Sequence, residues 1–489
     1  MNIILSLVVC VILFGCSTQA VVLTQTLSSD PGFLVQELCQ AKGDQYDLII
    51  ITPEEFSGEL EPLKEHKERY GITTRIITLT DISTGVYFSV QGRDAAEKMK
   101  YFIKDAKEQW GVTYVLLVGN EEHMPTRYSY AFNFTRNTKP AISDLYYADL
   151  YDAQGNFSNW DTNMNNKFGE TKYDHVYKIT IVLDEVDLYP DVHIGRLPCA
   201  TSSEVGIVVD KIISYEEHKA DESWFKRMIL FGGNDFSFFN EALSKFYDIL
   251  FRVNYERKPA FEGEYLCNEV ADLMRDFEVE KFYASSFLPF LQGSQTYKKP
   301  TVENINKAIN DGAGFILFVG HGNPYAFTTY LAKFVPAPLP SPSGYNISVL
   351  HELKNKEKLP VIVINACSCG DFSRTSSPIA WEFVKLNSGG SIATFAYSSY
   401  AWADPGSRYP ESKAGYLALH LFKAYADGKD TLGELLTSSI TNYLNEDDVF
   451  FEPDPYDLLL IQYAIIQRLT LFGDPSLKIG GYEMATGCS

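Results

Sequence analysis

Runs of apolar residues that alternate with helical patterns constrain the fold of this chain most strongly. Residues 46–52 (YDLIIIT) and 114–118 (YVLLV) are continuous apolar runs, which are typical of strands buried on both faces of a parallel sheet. Between them, apolar side chains recur at i, i+4, i+7, i+8 and i+11 from Ala95. This period indicates one amphipathic helix, which Gly111 would end. The order strand, helix, strand predicts an α/β fold.

The same alternation returns after residue 225. Strands are predicted at 227–231, 314–319, 360–365 and 391–395, with helices near 239–252 and 378–386. We therefore predict two side-by-side α/β subunits with mostly parallel sheets. The N-terminal subdomain would cover 45–222, the catalytic subdomain 223–480, and a tail would follow at 481–489.

Charge and length exclude several classes of protein. The 489 residues include 42 Lys and Arg against 63 Asp and Glu, a net charge of −21. Such a surface repels nucleic acid, so a nucleic-acid partner is not expected. A chain of this length can form complete hydrophobic cores, and its cysteines show no repeated Cys-x-x-Cys pair, so neither disorder nor a structural zinc site is predicted.

The N-terminus predicts export. Residues 3–15 form an apolar run that is too short for a permanent membrane span. Two processing routes stay open: lipidation of Cys16 after a lipoprotein signal at 1–15, or ordinary cleavage of a signal peptide at 1–20, with a short segment at 21–44 in front of the first subdomain. The mature protein would be secreted or tethered to the membrane through a lipid on Cys16, without a transmembrane span.

Two short motifs each follow a buried-strand run. Residues 315–319 (FILFV) lead into Gly320-His321-Gly322, and residues 361–365 (VIVIN) lead into Ala366-Cys367. Because ligands bind beyond the carboxyl ends of strands in open parallel sheets, we expect His321 and Cys367 to face one crevice. The glycines leave access to the imidazole and free N–H groups for an oxyanion. This combination indicates a cysteine nucleophile, although each residue alone is more often structural.

These motifs resemble the catalytic segments of the gingipain-type cysteine peptidases, a family of the caspase-like clan. The likeness extends to residues 114–120, 191–198, 395–406 and 471–477, and it covers about 45 to 480. It implies a caspase-like three-layer αβα fold.

The resemblance also implies the catalytic roles. Cys367 would be the nucleophile, His321 the general acid and base, and the backbone N–H groups of Gly322 and Cys367 the oxyanion hole. The neighbouring Cys369 has no counterpart that the family requires, and a bridge between Cys367 and Cys369 would be strained.

Two substrate-binding residues follow from the same resemblance. Asp144, within residues 143–147 (SDLYY), is similar to a family Asp that acts as a specificity acid or orients the catalytic His. At the base of the pocket it would favour Arg, or Lys, before the scissile bond, because a carboxylate suits a bidentate pair with Arg. Trp402 is similar to a Trp that lines this pocket. The alternatives are an Asp that caps a turn and a Trp that only packs.

Residues 161–170 predict a calcium loop. Asp161, Asn163 and Asn165 place oxygen atoms at alternate positions, and Glu170 adds a carboxylate nine residues after the first. Such oxygen ligands suit Ca²⁺, but the spacing is not that of an EF-hand. The alternative is an Asn-rich surface turn. The chemistry itself requires no cofactor.

The function predicted from the sequence is that of an exported cysteine endopeptidase, with protein or peptide substrates and an undetermined oligomeric state. Two rivals stay open. A sortase-like transpeptidase would use the same dyad with an amine in place of water, and a binding protein would use the peptidase scaffold without catalysis.

Overall fold

The computed structural model describes residues 45–131, 140–174, 179–184, 186–233, 262–287, 297–332, 335–340, 343–402, 413–445 and 458–483. The predicted signal peptide, the segment at 21–44 and the helix near 239–252 lie outside these residues, as do the last six residues of the predicted tail. The boundary predicted at 222/223 stays a prediction.

Strands and helices are interspersed along the described part of the chain. The strands are β1 (Leu48–Thr52), β2 (Thr74–Thr78), β3 (Tyr114–Val118), β4 (Tyr128–Ser129), β5 (Ala141–Ile142), β6 (Thr171–Asp174), β7 (Ile179–Val182), β8 (His193–Leu197), β9 (Arg227–Gly232), β10 (Glu278–Tyr283), β11 (Phe315–Val319), β12 (His321–Asn323), β13 (Ala326–Ala332), β14 (Val335–Leu339), β15 (Tyr345–Asn346), β16 (Val361–Asn365), β17 (Ala393–Tyr397) and β18 (Leu469–Phe472). The helices are α1 (Ser57–Arg69), α2 (Leu79–Thr84), α3 (Ala95–Trp110), α4 (Leu145–Ala148), α5 (Ser202–Glu216), α6 (Glu222–Phe225), α7 (Glu262–Leu273), α8 (Val302–Asp311), α9 (Ile347–Leu350), α10 (Ile379–Lys385), α11 (Lys413–Ala426), α12 (Leu432–Asn445) and α13 (Leu458–Ile466), with 3₁₀ turns at Glu54–Phe56 and Ala284–Phe287.

Local sequence signals account for the helix that was predicted between the first buried strands. The Asp94 side chain accepts a hydrogen bond from the Glu97 N–H and caps α3, and Gly111 ends the helix with a φ of 78°. Glycine adopts this left-handed conformation without a steric penalty. The apolar stripe, including Met99 and Ile103, is buried. The helix therefore forms where periodicity and caps agree.

Ten strands form one sheet, in the order β10-β9-β11-β16-β17-β18-β8-β3-β1-β2. Its pairs are parallel except for β17 with β18, which is antiparallel. Helices cover both faces, and the central strands β11, β16 and β17 are buried along their whole length. This arrangement is the mostly parallel α/β fold that the alternation of elements predicts.

The late strand β18 joins the two halves of the sheet. It pairs with β17 on one side and with β8 on the other, so strands from both predicted subdomains belong to one sheet. A buried ion network reinforces this junction: Lys67 Nζ lies 2.8 Å from Glu216 Oε2 and 2.7 Å from Asp474 Oδ2. The network connects α1, α5 and the turn that follows β18.

Within the described ranges, the helices are too short or too polar to cross a membrane.

Candidate active site

Two neighbouring strands deliver the predicted His and Cys to one edge of the sheet. β11 and β16 are parallel, with Val319 opposite Asn365 at their carboxyl ends. Gly320 and Ala366 follow directly, and the Gly320 N–H donates to the Asn365 carbonyl over 3.3 Å. His321 and Cys367 therefore begin their segments at the same level of the sheet.

A tight turn presents Cys367. Ser368, the next residue, has a φ of 54°, a left-handed conformation that costs a non-glycine residue about 1–2 kcal/mol. The Ser368 N–H donates to the Ser399 carbonyl at 2.7 Å, and the Gly370 N–H donates to the Tyr397 carbonyl at 3.0 Å. These bonds hold the turn against the end of β17, so the thiol projects from a rigid part of the fold.

A β-hairpin carries His321 against this turn. β12 and β13 are joined by two residues, with Asn323 opposite Ala326 and Gly322 opposite Phe327. Because the pair that closes a two-residue hairpin is hydrogen-bonded and pairs alternate, Gly322 is in a non-bonded position and its N–H points away from β13. The His321 side chain is exposed.

Gly322 is in close contact with the cysteine turn. A Cβ atom at this position would lie 2.7 Å from the Cys367 carbonyl oxygen and would overlap the Cys369 Sγ atom. No side chain larger than hydrogen fits without movement, which explains the glycine beside the imidazole. The hairpin and the cysteine turn therefore pack together as one site.

The Cys367 thiol is partly buried. The Ala401 N–H approaches Sγ at 3.4 Å, and Sγ lies 3.5 Å from the Ala401 carbonyl oxygen. Burial raises the pKa of the thiol above its ordinary value, while the Ala401 N–H and the Arg468 cation act in the opposite direction. At neutral pH the free thiol is therefore mainly protonated, and a nearby base must accept its proton for it to act as a nucleophile.

The family model described as "Peptidase family C25" matches residues 41–480 of this sequence. The chain belongs to peptidase family C25. Gingipain R2 of Porphyromonas gingivalis is 20% identical over 452 residues, which cover 88% of this C25 chain and 46% of the gingipain. The chain thus spans about half the length of that relative.

Two further proteins are similar to this C25 chain, one in sequence and one in structure. An uncharacterized protein of Archaeoglobus fulgidus is 22% identical over 384 residues, which cover 73% of this chain and 76% of that protein. The crystal structure of the Arg specific cysteine proteinase gingipain R superposes with a TM-score of 0.58 at 18% identity, over 90% of this chain and 79% of the gingipain chain. The likeness shows a shared fold, the caspase-like αβα architecture that the resemblance implies.

The second cysteine of the motif has a different environment. Cys369 is buried, its pKa is strongly raised by burial, and its Sγ lies 3.9 Å from the Ala326 carbonyl oxygen. Cys367 and Cys369 are both free thiols. The buried Cys199 and Cys267 form no disulfide bond with a described residue, and Cys39 and Cys488 lie outside the described residues.

Asp144 does not lie open to a substrate cation. Arg196 binds both of its oxygens, with Nε at 2.8 Å from Oδ2 and Nη2 at 2.6 Å from Oδ1, and the pair is buried. The cavity next to Asp144 has a volume of about 10 Å³, space for a single water molecule. This geometry argues against the predicted contact with a substrate arginine, because a residue of the protein already neutralises the carboxylate.

Trp402 directly follows Ala401, whose backbone contacts the Cys367 thiol. Its ring is 4.9 Å from the Arg468 Cζ atom and 5.4 Å from the Tyr400 ring. Arg468 was not a predicted site residue. It directly precedes β18, and its one sequence signal is a charge within the long apolar stretch 458–472.

The predicted calcium loop is closed by hydrogen bonds and ion pairs of the protein itself. Asp161 accepts from Arg93 Nη1 at 2.6 Å and from the Asn165 N–H at 2.8 Å. Glu170 pairs with Lys167 at 3.0 Å and accepts from the Asn165 side chain at 2.7 Å, and the Asn163 oxygen accepts from the Asn165 N–H.

These contacts do not fit a calcium site. Two cations occupy the carboxylates on which Ca²⁺ would depend, and hydrogen bonds within the loop use the amide oxygens. In the part of the chain that the structure describes, no three acidic, His or Cys residues are grouped to hold a metal ion. Arg93 and Lys167 stabilise the loop in this arrangement, and the calcium site stays a prediction against which these contacts argue.

Proposed function

We propose that this C25 chain is a cysteine endopeptidase in which Cys367 is the nucleophile and His321 the general acid and base. The observation that carries the proposal is the contact between the hairpin of His321 and Gly322 and the turn of Cys367. It brings an accessible imidazole, a partly exposed thiol and an unused backbone N–H to one edge of a rigid sheet.

The reaction follows from the chemistry of these groups. His321 takes the proton of the Cys367 thiol, and the sulfur attacks the carbonyl carbon of the scissile peptide bond. The N–H groups of Gly322 and Cys367 stabilise the oxyanion of the tetrahedral intermediate. As the C–N bond breaks, His321 gives its proton to the leaving amine, and a thioester remains. Water then attacks the thioester, releases the acid product and restores the thiol.

The proposal does not include arginine selectivity through Asp144. The gingipain R of the structural comparison is described as Arg specific, which supports such a preference by relationship alone. Against this preference, the guanidinium of Arg196 already donates hydrogen bonds to both oxygens of the Asp144 carboxylate. A substrate arginine would have to break a buried ion pair to bind there.

The test is turnover of a fluorogenic peptide panel by purified protein, with Cys369→Ala as the matched control for Cys367→Ala. We expect Cys367→Ala to lower kcat/KM by about 10³-fold or more, because removal of a nucleophile removes the covalent step. Cys369→Ala removes a buried neighbouring thiol and is expected to retain most activity.

Other results would favour the rival functions. Products joined to an added amine would indicate a transpeptidase. If no peptide is cleaved and a thiol-reactive peptide probe labels Cys369→Ala no more than Cys367→Ala, the chain is a binding protein and the proposal is wrong.

Export is part of the proposal, and it depends on the apolar run at 3–15. Mass spectrometry of the mature N-terminus in the native host separates the two processing routes. A diacylglycerol-modified Cys16 indicates a lipoprotein, and a free Val21 N-terminus indicates signal cleavage after Ala20. An intact Met1 in the soluble cell extract would contradict export.

A further inference from the structure

A buried arginine that pairs with no carboxylate among the described residues lies near the candidate nucleophile. Arg468 is 3% exposed and directly precedes β18, whose partner β17 ends beside the cysteine turn. The Ser398 N–H donates to the Arg468 carbonyl at 2.9 Å, which fixes this residue at the catalytic edge of the sheet. The Cys367 thiol is close enough for the guanidinium charge to act on it.

The hydrogen bonds of Arg468 are incomplete. Nη2 donates to the Ala131 carbonyl oxygen at 2.8 Å, but Nε and Nη1 have no acceptor among the described residues. A guanidinium group binds a carboxylate along either of two edges, Nε with Nη2 or Nη1 with Nη2. Because Ala131 takes only one of the two Nη2 hydrogens, one complete edge is free.

An unpaired buried guanidinium is costly, so its presence needs an explanation. Each buried donor without an acceptor destabilises the folded protein, and a buried charge without a counterion does so more strongly. Burial lowers the pKa of Arg468 to about 10, and Cys367 and Tyr400 oppose this only in part. A bound anion would supply both the acceptors and the negative charge, and the ring of Trp402, next to the residue that contacts the thiol, lies 4.9 Å from the Arg468 Cζ atom.

We propose that Arg468 is the specificity residue of the candidate active site and binds the carboxylate of a substrate Asp or Glu next to the scissile bond. The inference rests on the proposed function. The substrate carboxylate supplies the two acceptors and the negative charge that the guanidinium lacks. An acidic residue before the cut is then preferred, in contrast to the arginine expected from Asp144.

The test uses peptides that differ only at the residue before the reporter: Asp, Asn, Glu, Gln, Arg, Lys and Ala. For the wild-type protein we expect kcat/KM for Asp or Glu to exceed that of its amide isostere by about 100-fold or more, because two charge-assisted hydrogen bonds are lost with the amide. The peptides with Arg or Lys at this position should be the poorest substrates, since they place a second cation against Arg468.

Two variants assign the preference to this residue. In Arg468→Met the ratio of acid to amide turnover should fall to near 1. In Arg468→Lys, which keeps the charge but loses the planar fork, the ratio should be intermediate. All rates are divided by the fraction of protein that an irreversible thiol-reactive peptide probe labels at Cys367, so partial misfolding does not affect the ratio.

The outcomes separate the two proposals. Cleavage that depends on Cys367 but is equal for Asp and Asn, or is fastest for Arg, overturns the role of Arg468 and leaves the peptidase intact. An acidic preference that persists in Arg468→Met overturns it also. Absence of cleavage and of labelling at Cys367 overturns both.

Discussion

Two buried arginines lie along β18, Arg468 directly before it and Arg196 opposite its last residue, Phe472, and they differ in one respect. Arg196, on β8, is fully buried and binds both oxygens of Asp144. Arg468, just before β18, is equally enclosed, but among the described residues its guanidinium makes one hydrogen bond, to a backbone carbonyl. One arginine has its counterion within the protein, and the other has none among the described residues.

The pKa values of the two groups differ accordingly. Burial lowers the pKa of both, but the Asp144 carboxylate outweighs burial at Arg196 and raises its pKa above the ordinary value. At Arg468 burial dominates, and the pKa falls to about 10. A satisfied buried cation contributes to the integrity of the fold, whereas an unsatisfied one next to a nucleophile is suited to bind an anion.

The largest effect on stability is expected from removing the Asp144 carboxylate, which is the counterion of Arg196. Asp144→Ala leaves Arg196 charged, buried and unpaired, and should lower the free energy of unfolding by about 3–5 kcal/mol. Urea unfolding followed by tryptophan fluorescence measures this. The double variant Asp144→Leu with Arg196→Met replaces the pair by apolar groups and should recover most of the loss. A loss below about 1 kcal/mol in Asp144→Ala would mean that the pair is open to solvent.

The unsatisfied arginine should respond in the opposite direction. Arg468→Met removes unpaired buried donors and keeps a side chain of similar length, so the free energy of unfolding should rise by about 1–3 kcal/mol. The same urea titration measures it. A decrease of more than about 1 kcal/mol would indicate that Arg468 has a strong partner in the folded protein, and the comparison with Arg196 would no longer hold.

A smaller effect is expected on the pKa of the nucleophile. A cation stabilises the thiolate, so the Arg468 charge lowers the pKa of Cys367 against the effect of burial. Removing the charge raises the pKa of Cys367. In Arg468→Met, the increase of the iodoacetamide alkylation rate with pH should therefore occur at a higher pH than in the wild type. Arg374→Met, at an exposed arginine that follows the same turn, is the matched control. Identical profiles for all three proteins would place Arg468 too far from the thiol.

The smallest expected effect distinguishes the influence of the net charge of the protein from that of Arg468. The chain has a net charge of −21, which slows the approach of acidic peptides at low ionic strength. Between 20 and 200 mM salt, kcat/KM for an Asp peptide should rise a few-fold, while that of an Ala peptide should change little. A fall of the Asp rate over this range would indicate that exposed cations, and not a buried arginine, attract the substrate.

Local signals in the sequence predicted much of the scaffold. The strand predicted at 114–118 has the bounds Tyr114–Val118, and the helix predicted between the first strands is Ala95–Trp110. The expectation that the His321 and Cys367 segments each follow a buried strand rests on apolar runs and glycines, which act over a few residues. These features need no knowledge of distant parts of the chain.

The partners of charged side chains depended on distant residues. Asp144 meets an arginine 52 positions later, and the Asp161 loop is closed by an arginine 68 positions earlier. The pattern of oxygens in residues 161–170 is compatible with calcium by spacing alone, and the ion pair of Asp161 with the distant Arg93 argues against it. Arg468 belongs to no recognisable motif, because what distinguishes it is that Nε and Nη1 have no acceptor among the described residues.

The sequence by itself determined the fold class, the strand ends that carry His321 and Cys367, and the glycines that surround them, because periodicity, caps and turn residues act locally. The tertiary structure alone decided which charges are neutralised within the protein. The antiparallel insertion of β18 between β17 and β8 brings Arg468 beside the thiol, while Arg196 reaches Asp144. Pairing between buried charges depends on distance and dielectric environment, and chain folding sets both.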